Sequence, residues 1–262
     1  MSLTVPTMSE MMGKGESPEV LFWVGCSGSF DDRAKKITKA LVKILNNTKV
    51  NFAVLGAEES CTGDPAKRAG NEFTFQMQAM MNIQVLDGYD VKKIVTACPH
   101  CFNTLKNEYP ELGGEYEVVH HTQLIQELIN QGKLVLADGG IYQGKKITFH
   151  DPCYLGRAND VYEAPRVLIE KLDSELVEMK RCKTKGLCCG AGGAQMFKEA
   201  ENGNKEINVE RTEEALELVP DIIATGCPFC NTMMTDGVKN FDKEGEVDVL
   251  DVAELIANAA DL

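Results

Sequence analysis

Lys93-Ile94-Val95-Thr96-Ala97-Cys98-Pro99-His100-Cys101 and, 129 residues later, Ile222-Ile223-Ala224-Thr225-Gly226-Cys227-Pro228-Phe229-Cys230 repeat one pattern: a short apolar run, then Cys-Pro-x-Cys. The run reads as a buried strand. The proline opens a helix, since its missing N–H costs nothing in the first turn. A helix N-terminus favours negative charge, so thiolates there are stabilised. Further out the echo continues. Cys26 and Cys153 stand 127 apart, and Cys61 and Cys189 stand 128 apart. Val118-Val119 and Leu124-Ile125 return as Val249-Leu250 and Leu255-Ile256 at 131. A slow drift in offset is what small loop insertions leave in a duplicated module of about 120 residues. The expected division is a flexible N-terminal tail over 1–18, a first cysteine-rich module over 19–137 and a second over 138–262, with a linker near Ala137-Asp138-Gly139-Gly140.

Leu21–Val24 and Ile147–Phe149 read as two more buried strands. Asp32–Leu45, Glu72–Leu86, Thr122–Ile129, Ala164–Leu172 and Glu206–Leu218 carry apolar residues at helical spacing. Alternating strands and helices predict an α/β fold: two duplicated Rossmann-like modules with mostly parallel sheets, related by a pseudo-two-fold axis. Cys26, Cys98, Cys153 and Cys227 each follow a strand, at the sheet edge where such folds bind ligands.

The chain has 262 residues, 44% of them hydrophobic and 26% charged, which is a globular composition. Its net charge of -13 repels phosphate backbones and anionic lipid, so neither nucleic acid nor a membrane surface is an expected partner. No run of about 18 apolar residues exists to span a bilayer. Residues 1–18 lack the apolar centre of a secretory signal, so a cytoplasmic location is expected. Ten cysteines in a reducing compartment point to metal or redox chemistry rather than disulfides.

Three chemistries compete for these thiols. Iron–sulfur clusters take four thiolates as a rule; the first half offers Cys26, Cys61, Cys98 and Cys101, the second Cys153, Cys188, Cys189, Cys227 and Cys230. Structural zinc wants four tetrahedral ligands, which leaves one cysteine of the second half spare. Adjacent Cys188 and Cys189 reach two irons of a larger cluster more easily than one zinc ion. Dithiol exchange is the third option, since Cys-Pro-His-Cys is shared with thioredoxin-fold disulfide oxidases; the recurrence as Cys-Pro-Phe-Cys with companion cysteine loops argues against it.

The residues Cys153, Cys188-Cys189-Gly190 and Cys227-Pro228-Phe229-Cys230 resemble the cysteine-rich CCG domain. That domain occurs in heterodisulfide reductases and in the iron–sulfur subunits of lactate and glycolate oxidases. It also occurs in oxidoreductases that link electron-transfer flavoprotein to quinone. His150-Asp151-Pro152-Cys153-Tyr154-Leu155-Gly156-Arg157 and Glu59-Ser60-Cys61-Thr62-Gly63-Asp64-Pro65 resemble the last group most. The resemblance implies a noncubane [4Fe-4S] cluster held by Cys153, Cys188, Cys189, Cys227 and Cys230. In the first half Ser60 stands where a double-cysteine copy has its first cysteine, so a cubane cluster, zinc or an empty site all stay open there. Ser60 itself reads as a turn cap. The implied function is an iron–sulfur electron-transfer subunit between a flavoprotein and quinone. The alternatives are an iron–sulfur subunit of lactate or glycolate oxidation, or a zinc-stabilised scaffold without redox activity. Larger relatives carry a ferredoxin-like segment and membrane helices, so a ferredoxin-like or membrane-bound iron–sulfur partner is implied.

Gly190, Gly192 and Gly193 are expected to bring backbone N–H groups close to a cluster, before a helix at Gln195–Ala200. His150 reads equally as a cluster neighbour, donating to sulfur or moving a proton, and as a satisfied residue at a strand end; His100 divides the same way. His120-His121 read as helix capping or packing, Arg157, Arg181, Lys183 and Lys185 as a solvated face, and Cys182 as a small buried hydrophobe.

Overall fold

The computed structural model describes residues 3–136, 140–199 and 202–262. The first module contains β1 (Val20–Trp23), β2 (Phe52–Ala53), β3 (Lys93–Thr96) and β4 (Glu117–His120); the second contains β5 (Lys146–Phe149), β6 (Glu175–Leu176), β7 (Ile222–Thr225) and β8 (Asp248–Asp251). Both sheets are parallel throughout, with orders β2-β1-β3-β4 and β6-β5-β7-β8. The register repeats too: Leu21 faces Ile94 as Thr148 faces Ile223. The predicted duplication is therefore present strand for strand.

The helices are α1 (Met8–Gly13), α2 (Gly25–Phe30), α3 (Ala34–Asn47), α4 (Asp64–Arg68), α5 (Glu72–Gly88), α6 (Pro99–Asn103), α7 (His121–Asn130), α8 (Glu163–Glu170), α9 (Ile207–Leu216), α10 (Pro228–Asn240) and α11 (Val252–Ala259). The five helices expected from apolar periodicity appear as α3, α5, α7, α8 and α9. Both Cys-Pro-x-Cys motifs open helices, with Cys98 and Cys227 as the extended N-cap residues. After α6 the chain continues through a π-helical turn over Thr104–Glu108.

The modules share one core. Phe22, Ile37 and Leu41 of the first lie in the same buried cluster as Phe149, Leu168 and Ile256 of the second. α3 packs on α11 and α8 packs on α7. Since α3 corresponds to α8 and α7 to α11 in the repeat, each module covers the other in the same way. That reciprocity is the pseudo-two-fold relation. Arg33, just before α3, clamps Glu254 of α11 through two 2.8 Å hydrogen bonds. His120 caps α7 and Asp251 caps α11. Next to them His121 Nε2 meets Asp251 Oδ1 at 2.8 Å, and His120 Nε2 meets Gly226 O at 3.1 Å. The two histidines thus cap and pack, as expected.

Residues 3–18 depart from the expected flexible tail. Thr7 and Glu10 form a reciprocal cap on α1, and Met8 and Met11, one helical turn apart, are buried in the first module's core. Backbone bonds Met8 N to Val54 O (2.9 Å) and Val54 N to Pro6 O (3.0 Å) tie the segment beside β2. The methionines supply enough apolar face to outweigh a polar flank. Of the expected linker, Ala137, Asp138 and Gly139 lie outside the described residues. Among the described residues no helix is long and apolar enough to cross a membrane.

α9 and α10 cross at Gly237, where an added Cβ would run into Thr212 Oγ1 and lie 3.2 Å from Asn208 O. Thr212 is fully buried and cannot swing aside. Gly237→Ala gains helix propensity of ~1 kcal/mol but overpacks a rigid crossing, at a cost of ~1–3 kcal/mol. The expected result is a lower urea midpoint at an unchanged slope; a higher midpoint would mean that the two helices can separate to admit a methyl group.

Candidate metal centre

Every cysteine is free, and nine of the ten gather where the strands of the two sheets end. In the first group Cys26 lies in α2 directly after β1, Cys61 in the loop before α4, and Cys98 and Cys101 at the start of α6. The Cys26 and Cys61 thiols lie side by side. That contact pushes Cys26 up and draws Cys61 down to about 7, helped by the Gly63 N–H at 3.4 Å from Cys61 Sγ. Cys101 draws the Cys98 thiol well below the usual range, with a further contribution from Cys227. Gly25 has φ of +77° and a Cβ there would sit 3.4 Å from Cys101 Sγ, so the close approach of the Cys26 loop needs glycine.

The second group follows the same plan with one more thiol. Cys153 follows β5, and Cys227 and Cys230 open α10. Cys188 lies beside Cys153 and Cys189, and Cys189 lies 3.3 Å from Cys230. The adjacent pair thus touches each other and reaches one further thiol on each side. Cys153 and then Cys189 hold Cys188 far below the ordinary thiol range, and the Gly190 N–H at 3.3 Å adds to this. Cys189 is pushed up to about 12, first by Cys188. Burial pushes Cys227 well up. Cys98 and Cys227 hold equivalent places in the repeat and lie close enough to shift each other's ionisation, so the two groups adjoin at the axis.

The other expected site residues divide. Gly190 does bring its N–H to sulfur, with φ of +92°. At Gly192 and Gly193 a Cβ would meet only open space. They precede a single 3₁₀ turn at Gln195–Phe197, where the sequence predicts a helix over Gln195–Ala200; Ala200 lies outside the described residues. His150 belongs to the site: it is fully buried, and a ring nitrogen lies within 4.8 Å of Cys189 and Cys230 Sγ. Burial and Arg211 push it down to about 3. His100 is engaged elsewhere: Nδ1 pairs with Asp64 Oδ2 at 2.9 Å and its ring packs on Tyr154 and Phe229 of the second module. Burial lowers its basicity, but Asp64 outweighs this and raises it. Ser60 donates to Asn82 Oδ1 of α5 at 2.7 Å, a side-chain bond to another element instead of the expected cap of its own turn. Cys182 is half-buried beside Glu178 rather than fully inside, and stands apart from both sulfur groups. Arg181 and Lys183 are spent on Glu210, Glu214 and Glu163, and Arg157 on Gly186 O.

Sequence reasoning missed the buried ions around the second group. Asp151 accepts both Arg166 Nη atoms (2.8 and 2.9 Å) and Lys183 N (2.7 Å). Arg211 is fully buried, and its Nε donates to His150 Nδ1 at 3.0 Å. A signal was present in α9, where Arg211 shares the inward spacing of Asn208, Thr212 and Ala215. In the first module Glu59 takes the N–H groups of Val24 (3.0 Å) and Gly25 (2.6 Å), and burial pushes it up to about 7.

The donor set fits an iron–sulfur centre. Two groups of free thiols, largely buried, converge from three loops each. His150 Nε2 is buried without a partner among the described residues, and a nitrogen of its ring lies within 4.8 Å of Cys189 and Cys230 Sγ. A single tetrahedral ion would leave one thiol of the second group idle.

Comparison with known proteins agrees with this geometry. The chain is 48% identical over 256 residues to the "Probable iron-sulfur-binding oxidoreductase FadF" of Bacillus subtilis, covering 97% of this chain and 36% of that protein. It is 43% identical to the EtfAB:quinone oxidoreductase of Syntrophomonas wolfei, over 94% of this chain and 35% of that one. It is 32% identical to a component of the dihydromethanophenazine:CoB–CoM heterodisulfide reductase of Methanosarcina barkeri, over 94% and 60%. The chain thus spans about a third of the first two relatives. The CCG cysteine-rich domain model matches twice, at residues 20–106 and 147–235, one match on each sheet and its cysteine loops. By this double match the chain belongs to the CCG cysteine-rich domain family.

Proposed function

We propose that this chain is the iron–sulfur module of an electron-transferring oxidoreductase, carrying electrons from a flavoprotein towards quinone. The observation that carries the reading is the gathering of five thiols, with Cys188 beside Cys153 and Cys189 and with Cys189 3.3 Å from Cys230, one thiol more than a single tetrahedral ion takes. The proposed ligands of a noncubane [4Fe-4S] cluster are Cys153, Cys188, Cys189, Cys227 and Cys230. Cys26, Cys61, Cys98 and Cys101 are proposed to hold a second centre of ordinary cubane type, since Ser60 is committed to Asn82. Such a centre supplies reversible one-electron storage when bound. The chain's part is to keep the sulfurs out of water, through the burial of Cys98, Cys101, Cys189, Cys227 and Cys230. It also offsets thiolate charge with the Gly63 and Gly190 N–H groups and the start of α10. The proposed partners are a flavoprotein donor and a ferredoxin-like or membrane-bound iron–sulfur unit that reaches quinone.

The test is iron, acid-labile sulfide and zinc content of protein purified without oxygen, with EPR on the same sample. With about four irons per cluster, roughly eight irons with matching sulfide are expected, and roughly four if the second group alone is filled. Zinc without sulfide after attempted reconstitution would overturn the reading in favour of a structural scaffold.

A further inference from the structure

Arg211 has no direct contact with a cysteine among its hydrogen bonds, yet it is wholly buried beside the second sulfur group and points its Nε at a histidine. A guanidinium can only donate. The 3.0 Å bond from Arg211 Nε therefore requires a lone pair on His150 Nδ1, and a neutral imidazole must then carry its proton on Nε2. That Nε2 has no partner among the described residues. A buried N–H left unpaired costs ~1–3 kcal/mol. Cys189 and Cys230 Sγ lie within 4.8 Å of a ring nitrogen of His150, and with Nδ1 taken by Arg211 the nitrogen free to serve them is Nε2.

We propose that Arg211 is a positioning residue for the second centre: it fixes His150 as the Nε2–H tautomer, so that this N–H donates to sulfur at the Cys189–Cys230 edge. The inference rests on the second group being a cluster site. Arg211 is itself held in place. Its Nη1 donates to Arg181 O at 2.8 Å and to Glu214 Oε2 at 3.0 Å, and Glu214 also takes Arg181 N at 2.6 Å. Glu214, Arg211 and His150 thus form a chain of fixed direction ending at sulfur. The repeat offers an independent parallel. The position equivalent to His150 in the first module is Trp23, whose Nε1 can only donate. That nitrogen is also buried with no partner among the described residues. Both modules end their central strand on an orphaned N–H donor. Indole needs no help to be one; imidazole needs a neighbour to choose its tautomer.

An N–H donated to a thiolate or sulfide stabilises the more negative, reduced state and raises the potential. The experiment is an EPR-monitored redox titration of the anaerobic protein, with iron and sulfide assayed on each sample. His150→Leu is expected to lower the reduced-to-oxidised ratio at a given potential about tenfold, or 59 mV for one electron. His150→Gln, which keeps an amide N–H, is expected to restore most of that shift. Arg211→Met should lower the potential in the parent and add little in the His150→Leu background. Arg211→Gln, which removes the charge but can still donate to Nδ1, should stay near the parent. An exchangeable proton coupled to the reduced centre should vanish from ENDOR spectra in His150→Leu and Arg211→Met alike. Equal shifts from Arg211→Met in both backgrounds would show that Arg211 acts by its charge alone and overturn the proposal, as would no shift in His150→Leu. Failure of the parent to hold iron would instead count against the proposed function. In that case ¹⁵N shifts of His150 in the metal-free chain decide the tautomer: Nε2–H in the parent, lost in Arg211→Met, is expected, and Nδ1–H in the parent overturns it.

Discussion

Cys189→Ala protein, purified without oxygen, should lose the iron and sulfide of the second centre, while Cys182→Ala should keep the parent content and absorbance. The two residues lie only seven positions apart in sequence, so the contrast tests geometry and not neighbourhood. Cys189 is buried 3.3 Å from Cys230, inside a group of five thiols that meet from three loops. Removing it deletes a ligand from the centre of that group and leaves a small apolar void in place of a sulfur. Cys182 is half-buried next to Glu178 and touches none of the nine. If only the second group is filled, Cys189→Ala should read near zero iron; if both are, about half should remain, with the residual EPR signal belonging to the first group. Equal loss from both variants would show that the ligand assignment is wrong. Equal retention would show that Cys189 is a structural thiol and that the centre, if present, is carried by the other four.

The duplication was readable from cysteine offsets because ligand positions at strand ends and helix starts are pinned by the fold. The drift from 127 to 131 residues measures loop insertions alone. Central strands β1, β3, β5 and β7 were readable because strands covered on both faces become continuous apolar runs. β2 and β6 were not, since two residues carry no period. Helix α1 was hidden by its polar flanks; its two buried methionines acquire meaning only once β2 is present for the segment to lie against. The largest omission was electrostatic. Arg166, Arg211, Asp151 and Glu214 each look like ordinary surface residues, and what makes them interior is a partner 3 to 61 positions away. Periodicity registers which face a residue takes, not which distant charge makes that face tolerable.

That ion network carries the second large prediction. Arg166→Met should destabilise the protein by about 3–5 kcal/mol, the usual result of removing one member of a buried pair and leaving its partner charged. At about 2–4 °C per kcal/mol for a chain of this size class, the melting temperature should fall by roughly 10 °C. The geometry explains why the effect is so large. Arg166 grips Asp151 through Nη1 and Nη2 and Glu178 through Nε and the same Nη2, at 2.6 to 3.0 Å, with almost none of its side chain exposed. Asp151 in turn accepts the Lys183 N–H at 2.7 Å. One carboxylate therefore ties the loop of Cys153, the helix α8 and the segment leading to Cys188-Cys189. Losing its counter-ion frees two of the three cysteine loops at once, so iron retention should fall before global unfolding begins. Adding Asp151→Asn to Arg166→Met removes the stranded charge and should recover part of the stability, because the penalty lies in burying an unpaired ion rather than in losing an attraction. It should not recover the iron, since the amide oxygen can still take the Lys183 N–H but, without the guanidinium, the tie of α8 and Glu178 to the Cys153 loop is gone. Urea unfolding and iron content measured on the same three proteins separate the two effects. Unchanged stability in Arg166→Met would mean that Asp151 finds another cation, and the tie between the cysteine loops would have to be sought in their backbone alone.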